Sequence, residues 1–158
     1  MWTHHNGQNQ MFEADYNVEM PLQKSTGLKA NKPFLIQSAM GGNRVMFMNR
    51  HIGGGQHEIA LRKPKYDAHE IWFYDDKTGH IRLFHQKNMV LSIQKGNNNR
   101  GARVVARAAE MRSKDQAWHY KKGAYHNWNP FSRAELTMDA AQGDRDGSFI
   151  HMWTFHNG

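Results

Sequence analysis

Cysteine is absent from the 158 residues, which excludes a disulfide framework and thiolate metal sites and leaves stability to packing. A reducing compartment suits such a chain without excluding secretion, so the location stays open between extracellular and cytosolic. Long apolar runs are missing too. Nothing approaches the ~18 residues of a membrane-spanning helix, and no charged-then-apolar leader opens the chain. The expectation is a soluble, processed or excised module. Sustained helical periodicity is lacking, apart from a weak turn expected over residues 108–112.

Catalytic signatures are equally scarce. No Gly-x-Ser-x-Gly elbow, phosphate loop or His-Glu-x-x-His occurs, and the adjacent carboxylates Asp75 and Asp76 fall in an expected turn, where solvated charge is their ordinary role. The sequence therefore predicts no enzyme and no cofactor. His4, His5, His51 and His57 lack zinc-like partner spacing. The stretch Asp144-Arg145-Asp146-Gly147 lacks the remaining ligands of a calcium loop and reads as a hairpin turn.

What the chain has is positive charge and histidine. Lys and Arg number 21 against 14 Asp and Glu, a formal net charge of +7 with a pI near 9.8. Clustered, such charge favours phosphate, sulfated glycan or anionic membrane. The densest groups, Arg62-Lys63-Pro64-Lys65 and Lys121-Lys122, sit beside expected turns and read as solvated surface. Eleven histidines add pH sensitivity, since the unperturbed imidazole titrates at about 6.5.

Residues 13–32 carry Pro21, Ser25, Thr26 and Gly27 among mixed polar residues and read as a linker or long loop. Beyond them short apolar runs alternate with turn signals. The runs begin at Phe34, Val45, Glu58, Ile71, Ile81, Val90 and Val104. Between them stand Gly41-Gly42-Asn43, Gly53-Gly54-Gly55, Asp76-Lys77-Thr78-Gly79 and Gly96-Asn97-Asn98-Asn99. Many short strands so bounded predict an all-β barrel or sandwich.

The chain also repeats itself. Residues 1–7 (Met-Trp-Thr-His-His-Asn-Gly) and 152–158 (Met-Trp-Thr-Phe-His-Asn-Gly) match at six of seven positions. The front copy runs on into Gln8-Asn9-Gln10-Met11-Phe12, where the back copy stops. Asn9-Gln10-Met11-Phe12, His69-Glu70-Ile71-Trp72 and Asp115-Gln116-Ala117-Trp118 share a pattern of polar residue, amide or acid, any residue, then a large aromatic. Trp72 and Trp118 stand 46 residues apart, and continuing the back copy as the front one continues would place a third aromatic 45 further on. Gly101 to Arg107 aligns without a gap with Gly147 to Trp153. Strand alternation along the latter puts Ser148, Ile150 and Met152 on a core face and Phe149, His151 and Trp153 on the outer one.

Three units of this length, each ending in a Gln-x-Trp-like motif, resemble the ricin B-chain type of β-trefoil lectin. The resemblance implies a β-trefoil over residues 33–158, with repeats of about 33–75, 76–120 and 121–158, and residues 1–12 completing the third. It also implies that the motif tryptophan is core and that each unit can hold one shallow sugar site. The site consists of an Asp after the second strand, an aromatic platform, and an amide pair opening the closing motif. The apolar face of a galactose ring suits an aromatic plane, and its hydroxyls suit carboxylate and amide groups. Carried over, the third unit has the full set: Asp139, platform Trp153, His151 two residues before it, and the pair Asn9 and Gln10. In the second unit Ser92 replaces the Asp and Arg107 the platform, with Asp115 and Gln116 remaining. In the first, Asn49 replaces the Asp, Leu61 sits near the platform, and His69 and Glu70 take the amide pair.

The implied function is a lectin module recognising galactose or N-acetylgalactosamine-type glycans through one site, with His151 making binding weaken at acidic pH. Two rivals stand beside it: a basic trefoil binding heparin-like glycans or anionic lipid, and a histidine-rich protein-interaction or cytoskeletal trefoil. No nucleic-acid partner is expected. The matching ends fit either tandem trefoil copies in a parent protein or a swapped homo-oligomer, with closure within one chain favoured.

Overall fold

The computed structural model describes residues 10–16, 31–121 and 127–154. These hold twelve strands: β1 (Phe12–Asp15), β2 (Pro33–Ser38), β3 (Val45–Gly53), β4 (Gln56–Arg62), β5 (Trp72–Asp75), β6 (His80–Leu83), β7 (Gln86–Ile93), β8 (Val104–Ala108), β9 (Trp118–Lys121), β10 (Asn127–Pro130), β11 (Leu136–Ala140) and β12 (Ile150–Thr154). All pairings are antiparallel. Each apolar run marked out by turn signals is a strand. Residues 108–112 form no helical turn; β8 ends at Ala108 and the chain turns at Met111 and Arg112.

The units are related by repeated hydrogen bonds. Three hairpins, β3–β4, β7–β8 and β11–β12, place Met46 opposite Leu61, Leu91 opposite Ala106 and Met138 opposite Met152. The Trp72 indole donates to the Met46 carbonyl (3.2 Å) and the Trp118 indole to that of Leu91 (3.0 Å). Both tryptophans are fully buried, as the motif implied. Each closing strand then pairs with the strand that opens the next unit: Trp72 opposite Leu83, Trp118 opposite Pro130, Phe12 opposite Ser38. The residue after each partner donates back to the residue before the aromatic. Phe84 N bonds Ile71 O (2.8 Å), Phe131 N bonds Ala117 O (2.8 Å) and Ala39 N bonds Met11 O (3.0 Å). Phe12 thus occupies the seat that Trp72 and Trp118 hold in the other two units, and β1 stands where a third closing strand belongs. β1 continues through Asp15, so residues 13–15, expected to begin a linker, are strand.

One core gathers Phe12, Phe34, Trp72, Trp118 and Trp128 with aliphatic residues from all three hairpins. Ser148, Ile150 and Met152 are fully buried, whereas Phe149, His151 and Trp153 reach the surface. The period-2 reading of this strand holds because one face packs on the core and the other meets solvent.

Two histidines are caught by this packing. Burial holds the His80 imidazole below the usual histidine range, helped by Arg82 and opposed by Asp75. Burial, His51 and His69 likewise lower His57. When the folded pKa is depressed, the unfolded chain takes up more protons as pH falls, so the stability contributed is present above about pH 6.5 and lost below it. Thermal unfolding should therefore begin to weaken between pH 6.5 and pH 5, before the carboxylates titrate. The slope contributed by His80 cannot exceed about 1.4 kcal/mol per pH unit. Circular-dichroism melts across this range should show a shallower slope for His80→Gln; an equal slope would remove His80 as a cause.

Candidate functional site

The β11–β12 hairpin sets Asp139 directly opposite His151 and Thr137 opposite Trp153, so these four share the outer face. Met138 and Met152 anchor the other face in the core. His151 Nε2 lies 2.6 Å from Asp139 Oδ2. A carboxylate oxygen at that distance accepts from the His151 tautomer that carries its proton on Nε2. Asp139 is 1% exposed, and beside it Thr137 donates its hydroxyl to the Trp128 carbonyl. The carboxylate therefore acts from beneath, fixing the imidazole. The Trp153 indole stacks on that imidazole with ring centres 5.2 Å apart and planes 16° apart, and is itself 37% exposed.

The loop between β7 and β8 forms the opposite wall. Gly101 N donates to Met152 O, Met152 N donates to Ala102 O, and Arg103 bridges to His151. Gly101 has φ +91, a conformation that favours glycine, and a Cβ there would lie 3.8 Å from the Trp153 ring. Arg100 lays its guanidinium 4.9 Å from the Trp153 ring centre. Arg103 lies 3.9 Å from that of Phe149, whose ring meets His151 edge-on. A ligand that stacks on the indole where Arg100 stands must first move that side chain.

Of the residues singled out by sequence, Asp139, His151 and Trp153 come together. Asn9 lies outside the described residues. Gln10 is fully buried, and its Nε2 donates to the carbonyl of Thr154 (3.0 Å), the residue after Trp153. Gln116 does the same in the second unit, donating to Ala108 (3.1 Å), the residue after Arg107. The second residue of the closing motif thus ties the loop to the end of its own hairpin, and Gln10 supports the site rather than facing solvent.

The other two units have filled the same place. Arg107 is buried, donates to the Ser92 hydroxyl (3.1 Å) and pairs with Glu110. In the first unit the hairpin register corrects the sequence alignment. Met46 corresponds to Leu91 and Met138, so the counterpart of Asp139 is Phe47, not Asn49, and the counterpart of Trp153 is Arg62, not Leu61. Arg62 lies over the Phe47 ring (4.2 Å) and bonds Glu70. Leu61 is core, and Asn49 bonds Glu58 beyond a β-bulge after Met48. Sequence spacing also missed Arg100, Gly101 and Arg103, which a different unit delivers; the ungapped match of 101–107 with 147–153 marks the loop but not its destination.

No protein-family model and no curated protein matches the chain. Solved structures do. A mosquitocidal holotoxin matches 87% of this chain at TM-score 0.71 and 16% identity, the chain spanning 18% of the toxin's length. A designed three-fold symmetric protein, ThreeFoil, matches 76% of this chain and 88% of its own at TM-score 0.65 and 13% identity. The chain is a β-trefoil. The C-half of the earthworm R-type lectin, solved with N-acetylgalactosamine, matches 80% of this trefoil and 91% of its own chain at TM-score 0.59 and 18% identity. At such identities the likeness speaks for the fold. Within it, Trp153 is an exposed aromatic on an outer hairpin face, where its counterparts in the other units, Arg62 and Arg107, are tied up in ion pairs.

Proposed function

We propose that this trefoil is a non-catalytic carbohydrate-binding module that takes galactose or N-acetylgalactosamine-type glycans at one site in its third unit. The observation that carries the reading is the exposed Trp153 indole, stacked on a histidine that a buried carboxylate holds in place. The indole supplies the plane for the apolar face of the sugar, and His151 supplies a polar edge oriented by Asp139. Gln10 braces the strand end, and Asn9, its neighbour in sequence, completes the set that the lectin resemblance implies. The solved earthworm lectin complex with N-acetylgalactosamine supports the ligand class.

A single shallow site of this kind binds near millimolar, about −4 kcal/mol, so avidity would come from several copies. Titration of N-acetylgalactosamine should shift the Trp153 indole N–H resonance saturably. Trp153→Ala should weaken binding about tenfold or more, and Asp139→Asn should weaken it with the fold intact. Arg100→Ala should tighten a neutral galactoside about two- to fivefold, since displacing an exposed cation from an aromatic face costs about 0.5–1 kcal/mol. Equal affinity in wild type and Trp153→Ala would sink the reading.

A further inference from the structure

A concavity lies away from Trp153, where the β5–β6 turn, the segment after β8 and the end of β10 meet. It encloses about 700 Å³ and is lined by Lys77, His80, Met111, Arg112, Lys114 and Phe131, among others. That is the size of a site for a small molecule. Its apolar lining is unusually open: Met111 is 88% exposed and Phe131 42%. Phe131 is held face-on against His119, with ring centres 4.0 Å apart, so the ring is a fixed surface rather than a loose one. Arg112 is set into the rim at φ +62, a conformation that non-glycine residues rarely adopt.

The charges on this rim are unbalanced. Of the charged side chains that line it, Arg82 is paired with Asp75 and Glu110 with Arg107. Lys77, Arg112 and Lys114 have no ion-pair partner among the described residues, which leaves three cations around an apolar floor. His80 lines the groove from within the fold. His80 is 5% exposed, and its Nδ1 is shut off from solvent with no hydrogen-bond partner.

We infer that this groove binds a small amphipathic anion, an aromatic or acyl group carrying a carboxylate, sulfonate or phosphate. The apolar part lies against Met111 and Phe131, and the anionic head faces Lys77, Arg112 and Lys114. None of these residues belongs to the Trp153 site, so the inference stands independently of the glycan reading.

The probe for the test is 1-anilinonaphthalene-8-sulfonate, followed by its fluorescence on the full chain, with neutral N-phenyl-1-naphthylamine as the uncharged comparison. The sulfonate should bind saturably and the neutral dye about tenfold more weakly or less. The double variant Arg112→Glu, Lys114→Glu lies on an exposed loop and should weaken the sulfonate about tenfold or more. Met111→Ala, which truncates an almost fully exposed side chain and should leave the fold intact, should weaken both dyes. Trp153→Ala should bind the sulfonate as wild type does. Absence of saturable binding would overturn the inference. So would equal affinity for the two dyes, an unaffected charge-reversed variant, or loss of binding in Trp153→Ala.

Discussion

Phe12→Ala should destabilise the trefoil by about 3–5 kcal/mol, the range for truncating a fully buried phenylalanine, and lower the thermal midpoint by roughly 6–20 °C. Phe12 has no solvent exposure and belongs to the core that all three hairpins share. Its backbone carbonyl, which accepts the Trp128 indole at 2.9 Å, survives the substitution, so the effect reports the lost ring and the cavity behind it. Phe12→Trp is the informative partner. The other two units seat tryptophan here with its indole on the Met46 or Leu91 carbonyl, and the third offers Met138 in the same register. The cost of overpacking should largely be offset, leaving Phe12→Trp within about 1.5 kcal/mol of wild type. If β1 closes the barrel of its own chain, the midpoint should not depend on protein concentration; a midpoint rising with concentration would mean closure by a neighbour. Phe12→Ala unfolding within about 1 kcal/mol of wild type would mean that β1 is not part of the folded unit.

Much of this arrangement is written locally. The turn clusters bound every expected strand because glycine and asparagine terminate short apolar runs whatever the tertiary context, and the alternation through Ser148, Phe149, Ile150, His151, Met152 and Trp153 separates core from surface residue by residue. The equal spacing of Trp72 and Trp118 marks the pseudo-symmetry because both indoles answer the same carbonyl position. The site is only partly legible, for three physical reasons. In the first hairpin the polar side chain of Asn49 draws the alignment two residues past the counterpart of Asp139, whereas hydrogen-bond register selects Phe47 and Arg62, spaced as Ser92 and Arg107 are in the second hairpin. Gln10 reads as a sugar ligand in sequence, and nothing local reveals that its side chain is buried with Nε2 donating to the Thr154 carbonyl. Arg100 reaches Trp153 across a unit boundary, and no periodicity within either unit encodes that meeting.

The second large effect is expected at Glu70, where the first unit has turned the same place into structure. Its carboxylate is fully buried and accepts the Arg62 guanidinium at 2.8 and 3.0 Å, Lys65 N at 3.0 Å and Tyr66 N at 2.7 Å. Tyr66 sits at φ +57, so this carboxylate also holds a left-handed residue in the turn. Glu70→Ala leaves a largely buried guanidinium with Asp67, at 2.7 Å, as its one charged partner among the described residues, and strands two backbone N–H groups. The expected loss is about 3–5 kcal/mol. Glu70→Gln retains an acceptor for the turn but introduces an N–H₂ that faces other donors, so an intermediate loss of about 1–3 kcal/mol is expected. Chemical denaturation of both variants measures the difference, and Arg62→Met in each background separates the ion pair from the turn. Once the guanidinium is gone, Glu70→Ala should cost only its backbone contacts. A Glu70→Ala loss that Arg62→Met leaves unchanged would show that the turn, not the ion pair, is what the first unit gained at the place where the third unit presents Trp153.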